Sequence, residues 1–372
     1  MSIDKNFWIR KNDRPNLILA PMASYTDSAF RLLCKEFGAD IVMTELVSAD
    51  AIFHNKKIKN KKLKIKNIEK DLFDSDKTLS LMRFDQRERP IVVQLFGKYP
   101  EKFAYAAKWV VDNIKPDGID INMGCPARKV VGSDHGAALL KNHNLAVEIV
   151  RAVREQIQIP LSVKTRLGWG SDDEILQFAP KLVKAGVDAI IIHGRTYKDG
   201  FRNIARWENI YRLKSEFLKT SRRFALANVG IPTEASGKNY KLKAIIGNGD
   251  IRDYKEAIDK SESEGIKLDG VAIGRAAFGN PWIFSPNKSR CSDRDPDISE
   301  SSGLISYSLI PCILRHAELC YEKKGDHGII EFRKHLLAYT KGLPNAKELR
   351  RQAVKIETIE DAKAVLENII VV

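Results

Sequence analysis

A (β/α)8 barrel of the TIM type followed by a small C-terminal helical domain is the architecture this sequence predicts, and three observations predict it. Short apolar runs, eight in all, recur along the chain as far as Phe278. Each ends in a polar or glycine-rich turn, and helical stretches separate them. The chain has 372 residues, more than the roughly 250 typical of one such barrel by about the size of a small helical domain. Past Phe284 the composition turns to Ser, Asp and Pro, a linker signature, before a helical period resumes.

The runs are Leu17 to Ala23, Ile41 to Val47, Ile91 to Gly97, Gly118 to Cys125, Leu161 to Gly168, Ala189 to Thr196, Lys243 to Asp250 and Gly270 to Phe278. Helices are expected over Ser28 to Phe37, Lys102 to Ile114, Leu145 to Gln156 and Asp173 to Ala185. Strands alternating with helices imply a parallel sheet, and eight such units imply closure. An open doubly wound sheet is the alternative, and it lacks its Gly-x-Gly-x-x-Gly after the first run. The expected domains are a barrel over 1–285, a linker over 286–303 and a helical domain over 304–372. Two stretches break the spacing. His54 to Lys70 carries eight lysines against one glutamate in a βα connection, either a solvated loop or a basic arm over the C-terminal face. Lys219 to Lys241 is rich in Gly, Ser and Asn and reads as a surface loop.

The formal net charge is +14, an excess that favours polyanionic partners, with nucleic acid ahead of an anionic membrane surface. No apolar run approaches the roughly 18 residues of a membrane span, and the N-terminus lacks the apolar core of a signal peptide. A soluble, cytoplasmic protein with no membrane partner and no obligate protein partner is expected. The five cysteines, Cys34, Cys125, Cys291, Cys312 and Cys320, have neither Cys-x-x-Cys nor metal-ligand spacing. Reduced thiols and no metal are expected. The tail sets Arg333, Lys334, His335, Lys341, Lys347, Arg350, Arg351 and Lys355 among apolar anchors, which is a solvated face or one that meets phosphates.

The candidate site lies at the C-terminal ends of the strands, where barrels keep their ligands. Gly118 to Pro126 runs an apolar strand into Cys125, a thiol held between Gly124 and Pro126, with Asn122 beside it. Such a cysteine is either a buried packing residue or a mounted reactive group. Pro21, Met22 and Ala23 end the first strand with small groups that let a planar ring approach. Gln94 supplies an amide that both donates and accepts. Lys164 and Arg166 lie two apart, so both point the same way, and a lysine there stabilises negative charge on a reduced ring. His193 and Arg195 follow on strand six. Asn248, Gly249 and Asp250 after strand seven, then Gly274 and Arg275 after strand eight, fall where barrels commonly hold a phosphate. Phosphate there and a flat ring over the mouth together describe flavin mononucleotide, FMN.

These motifs resemble the tRNA-dihydrouridine synthases, in a form closest to the bacterial B-type subgroup. The matching runs are Ala20 to Asp27, Gln94 to Gly97, Asp120 to Pro126, Val163 to Gly168, His193 to Thr196, Gly247 to Ile251 and Gly274 to Trp282. In the tail, Arg333 to His335, Tyr339 and Lys341-Gly342 also match. The lysine-rich insert and the extension before strand seven depart from the family pattern. The resemblance implies an FMN enzyme that reduces the C5–C6 bond of selected uridines in tRNA, with NADPH or NADH as reductant. Hydride would pass from flavin N5 to uracil C6, and Cys125 would give the proton to C5. It further implies that Asn122 orients the base or flavin, that Lys164 and His193 polarise ring carbonyls, and that Gln94 with the Pro21 to Ala23 backbone holds the ring. Asn248, Gly249, Asp250, Gly274 and Arg275 would secure the phosphate end. Arg166 and Arg195 are candidates for the base or a substrate phosphate. Arg333, Lys334, His335 and Lys341 are candidates for the tRNA backbone. Two rivals stand beside this reading: an FMN barrel acting on a free pyrimidine, which needs no basic tail, and a tRNA-binding protein that has lost catalysis.

Overall fold

Residues 6–9, 13–55, 76–226, 242–286, 309–343 and 345–370 are described by the computed structural model, and within them the eight runs close into a parallel barrel. The strands are β1 (Asn16–Leu19), β2 (Ile41–Ser48), β3 (Ile91–Phe96), β4 (Gly118–Met123), β5 (Leu161–Arg166), β6 (Ala189–His193), β7 (Ala244–Asn248) and β8 (Gly270–Ile273). Each pairs in parallel with its sequence neighbours, and β8 closes on β1. The main helices are α1 (Ser28–Glu36), α2 (Pro100–Asn113), α3 (His143–Gln156), α4 (Glu174–Lys184), α5 (Glu208–Leu226), α6 (Leu309–Lys324), α7 (Asp326–Tyr339), α8 (Ala346–Ala353) and α9 (Ile359–Ile370).

Most strands stop short of the apolar runs that mark them. β1 ends at Leu19 and β8 at Ile273, so Ala20 to Ala23 and Gly274 to Phe278 are turns and not strand. Pro21 has no N–H for the ladder, and Gly274 leaves the extended region at φ −108, ψ −115. A second correction concerns the extension before β7. Residues 219–226 continue α5, because Ile210, Leu213 and Phe217 give it a packed face and no Gly or Pro interrupts it before Gly230. Residues 227–241 lie outside the described residues, as do 56–70 of the lysine-rich stretch, 287–303 of the linker, and Cys291. A small antiparallel hairpin, Glu262–Ser263 with Ile266–Lys267, stands between β7 and β8 where the apolar pattern predicts no strand.

The barrel interior is layered. Ile18, Ile41, Met43, Val92, Ile191 and Ile246 fill its lower part, and Phe7 and Trp8 join them as a plug. Asn16 fixes the plug by donating to the carbonyls of Phe7 and Trp8 at 3.3 and 3.0 Å. A Cβ on Gly118, where β4 begins, would stand 3.1 Å from Phe7 Cζ. Polar side chains fill the upper part.

Outside the barrel, α6 packs along α1, and charged pairs rim the joint: Arg315 with Glu36 at 2.6 Å, Lys323 with Asp85 at 2.6 Å, Arg87 with Glu322 at 2.8 Å. At its centre stands Asp27. Its Oδ1 caps α1 by accepting from Phe30 N at 3.0 Å, and its Oδ2 meets Lys334 Nζ at 3.0 Å and His335 Nε2 at 3.2 Å. Burial alone would raise the Asp27 pKa, yet the hydrogen bond and charges from His335 and Lys334 hold it well below the usual carboxylate range. His335 is 1% exposed and packs against Phe30 and His316. Its expected contact with tRNA is therefore corrected: a ring sealed between two helices reaches no phosphate. Lys334 is drawn to the same carboxylate, and Arg333 Nε donates to Ile356 O at 2.7 Å. Two of the tail's cations thus hold the fold in place as well.

Candidate active site

Above the polar layer a cavity of about 860 Å³ opens at the C-terminal ends of the strands. It gathers Pro21, Met22 and Ala23 after β1, Asn122 and Cys125 from β4 and its turn, and Lys164 and Arg166 from β5. His193 and Arg195, Asn248, Gly249 and Asp250, and Gly274 and Arg275 join them from the remaining strand ends. Ala338 and Lys341 bring the tail to the rim. The register explains the convergence: Asn122 lies level with Lys164, and Arg166, His193 and Asn248 share one height around the wall. Gln94 does not line the cavity. It is fully buried one tier lower, level with Asp120, directly beneath the residues that line the cavity.

Charge crowds this mouth. Lys164 Nζ donates to Asn248 Oδ1 at 3.0 Å, and Asn248 is itself anchored through Nδ2 to Ala272 O at 2.7 Å. Burial, then the neighbouring Arg166, pushes the Lys164 pKa down to about 8. His193 is driven well below its ordinary value by burial and by Lys164, Arg166, Arg195 and Arg275, so it is neutral at pH 7. Arg195 Nη1 faces His193 Nε2 at 3.3 Å, and a guanidinium only donates, so Nε2 accepts and Nδ1 carries the proton.

Both arginines expected at the substrate are committed to the chain. Arg166 donates to Gly124 O at 2.8 Å, Thr196 O at 3.0 Å and Gly200 O at 3.1 Å, which braces the turn carrying Cys125. Arg195 grips both oxygens of Asp250 at 2.7 and 2.8 Å and donates to Asn203 O. Burial would raise the Asp250 pKa, but the Ala205 N–H and Arg195 bring it below its ordinary value. Arg275 differs from both: it is exposed, makes no ion pair among the described residues, and lies 4.4 Å over the ring of Phe201. Beside it the backbone is open. A Cβ on Gly274 would meet nothing closer than Met22 Sδ at 3.6 Å, and Gly249 turns at φ +120.

Two residues at or beneath the mouth carried no role in the sequence reading. Phe201 is 52% exposed and lies between Arg166 and Arg275. Asp120 is fully buried beneath Lys164, and burial raises its pKa to about 6. Its signal was present: it alternates with Ile119 and Ile121, on the same side as Asn122.

A family model described as Dihydrouridine synthase (Dus) matches residues 18–221 and 238–371. The gap between the matches falls within the extension before β7. The chain is 33% identical over 350 residues to a "Probable tRNA-dihydrouridine synthase" of Aquifex aeolicus, covering 93% of each. It is 30% identical over 363 residues to "Probable tRNA-dihydrouridine synthase 1" of Synechocystis, covering 95% of this chain and 86% of that protein. With "tRNA-dihydrouridine synthase B" of Pseudomonas aeruginosa it shares 32% identity over 349 residues, covering 92% of this chain and 89% of that protein.

Proposed function

Because the chain belongs to the dihydrouridine synthase family, an oxidoreductase family, we propose that it reduces the C5–C6 double bond of selected uridines in tRNA, using FMN and NAD(P)H. The observation that carries this reading is one cavity holding a half-buried thiol, a largely buried lysine and an arginine without an ion pair among the described residues, beside open glycine backbone.

The residues fit FMN. The backbone of Pro21 to Ala23 offers a flat wall, while Arg275 with the Gly249 and Gly274 turns offers a cation and approachable N–H groups to a phosphate. When bound, FMN supplies the hydride that reaches uracil C6. Cys125 gives the proton to C5. Lys164, protonated at neutral pH, offsets negative charge arising across the cavity, and His193 offers Nδ1–H to a ring carbonyl. Asn122 orients the turn of Cys125, and Asp250 serves by holding Arg195 in place.

The tRNA reading draws on the net charge and on Lys341 at the rim. The target base turns out of its stack to enter the cavity, while the tail over 304–372, read as a domain of its own with described helices from Leu309 onward, meets the phosphates. No helix among the described residues is long and apolar enough to cross a membrane, and we place the protein in the cytoplasm with its RNA substrate. The test is to record the visible spectrum, supply NADPH with tRNA lacking dihydrouridine, and map the product by mass spectrometry. Dihydrouridine at a defined position supports the reading. A yellow protein inert on tRNA overturns it in favour of a free pyrimidine, and a colourless one in favour of a binding module.

A further inference from the structure

Beneath the cavity, inward side chains of β3, β4 and β5 form a hydrogen-bonded chain that starts at a carboxylate and ends at the cysteine turn. Asp120 accepts from Ser162 Oγ at 2.6 Å and from Gln94 Nε2 at 2.7 Å. Gln94 Oε1 accepts from Asn122 Nδ2 at 2.9 Å. Asn122 Oδ1 then accepts the backbone N–H of Cys125 at 3.0 Å and of Gly124 at 3.3 Å. Asp120, Gln94 and Asn122 are all buried, so water does not substitute for these partners cheaply.

The order of donors and acceptors in this chain has one origin. An amide side chain presents N–H from one end and a lone pair from the other, and either end fits the same space. An ionised carboxylate only accepts. Asp120 therefore turns the Gln94 N–H toward itself and leaves Oε1 facing Asn122. That oxygen in turn draws the Asn122 N–H and leaves Oδ1 for the cysteine turn. With Gln94 reversed, Asn122 would face two backbone N–H groups with an NH2, and the turn would lose both bonds.

We propose that Asp120 is a positioning residue: through Gln94 and Asn122 it fixes the polarity of the bonds that hold the Cys125 turn, without itself touching substrate. That the held thiol is the proton donor rests on the function proposed above; the relay does not.

The test reads the thiol directly. Cys34, Cys312 and Cys320 are buried, so in a Cys291→Ser background iodoacetamide labelling of the full chain, followed by peptide mass spectrometry, reports Cys125. Asn122→Ala should speed labelling about fivefold, the weight of roughly one hydrogen bond. Asp120→Ala should do the same, and the double variant should label no faster than Asn122→Ala alone. Parental labelling in Asp120→Ala, or effects that multiply in the double variant, would overturn the relay. Asp120→Asn supplies a second arm should the alanine variant not fold. Its Oδ1 still accepts from Gln94 while its N–H finds the Ser162 hydroxyl, so labelling should stay near parental until Ser162→Ala is added. Faster labelling by Asp120→Asn alone would show that charge, and not acceptor sense, matters, and the proposal would fall. On tRNA, Asp120→Ala should lower kcat and leave KM unchanged. A parent protein that makes no dihydrouridine would sink the functional reading, and the labelling series would still decide the relay.

Discussion

The barrel mouth and the face where the C-terminal helices dock both bury charge, and they handle it in opposite ways. At the docking face each charge has a partner: Asp27 takes Lys334 and His335, and its carboxyl is held well below the ordinary range. At the mouth like charges are pressed together. Burial, with Arg166 beside it, takes Lys164 down to about 8, burial and the surrounding cations take His193 well below its ordinary value, and burial alone lifts Asp120 beneath them to about 6 against the pull of Lys164. Paired charge contributes stability, whereas crowded charge costs stability and stands ready to meet the charge of a ligand. The first region is built to hold two parts of the fold together, and the second to bind and react.

The largest separation of the two regions comes from Cys125→Ala. Loss of the proposed proton donor should reduce dihydrouridine formation by about 10²- to 10⁴-fold. The side chain is half-buried at the cavity, so Tm and the flavin spectrum should stay near wild type. Single-turnover assays on tRNA, read beside a thermal melt, check both halves.

Asp27→Ala attacks the other region. It removes the cap of α1 and leaves Lys334 and His335 without their acceptor, a cost of about 3 kcal/mol. Urea unfolding measures it. Arg315→Ala, which breaks a half-exposed pair on the same face, should cost under about 1 kcal/mol. Equal losses would mean that the central carboxylate is no more than another rim contact.

How far these regions were legible in the sequence differs for physical reasons. Parallel strands bury both faces, so β6 and β7 open on apolar runs, Ala189 to Ile192 and Ala244 to Ile246, whereas β4 and β5 alternate apolar residues with Asp120, Asn122, Ser162 and Lys164. Strand ends were harder: Ala20 to Ala23 and Ala276 to Phe278 stay apolar because they wall the mouth, not because they pair. Period two told that Lys164 and Arg166 face inward but not that Arg166 spends its donors on three backbone carbonyls. Gln94 faces inward too, and its depth depends on strand stagger, which no local pattern encodes. The docking face was the least legible. Asp27 and His335 are separated by 308 positions, and a histidine in a basic helix looks like a surface residue until the helix is packed.

Returning to the mouth, Lys164→Met should stabilise the protein. Its pKa is depressed from 10.5 to about 8, so below about pH 8 the folded chain carries the full penalty of a buried ammonium. The penalty fades between 8 and 10.5, where the unfolded chain alone stays charged. Removing the charge should therefore gain up to about 2–3 kcal/mol at pH 7, with the gain shrinking as pH rises through that window. Denaturant melts at pH 7 and pH 10 test the sign. Unchanged stability at pH 7 would mean that Lys164 is already compensated, and the contrast with Asp27 would collapse.

The smallest effect draws the boundary between the regions inside the tail itself. Lys341 lines the cavity, is exposed and makes no ion pair among the described residues, whereas Arg333, eight positions earlier in sequence, donates to Ile356 O. Lys341→Ala should weaken tRNA binding by a few-fold and lower the salt slope of log K by about 1, because one phosphate contact releases about one counterion. Arg333→Ala should leave that slope in place and lower stability by about 1 kcal/mol through the lost backbone bond. Filter binding over a salt series, paired with melts, separates them. If Arg333→Ala flattened the slope as Lys341→Ala does, its guanidinium would be meeting RNA as well as the fold, and docking and recognition would share one surface. If only Lys341→Ala does so, the tail holds the barrel with one set of cations and meets RNA with another.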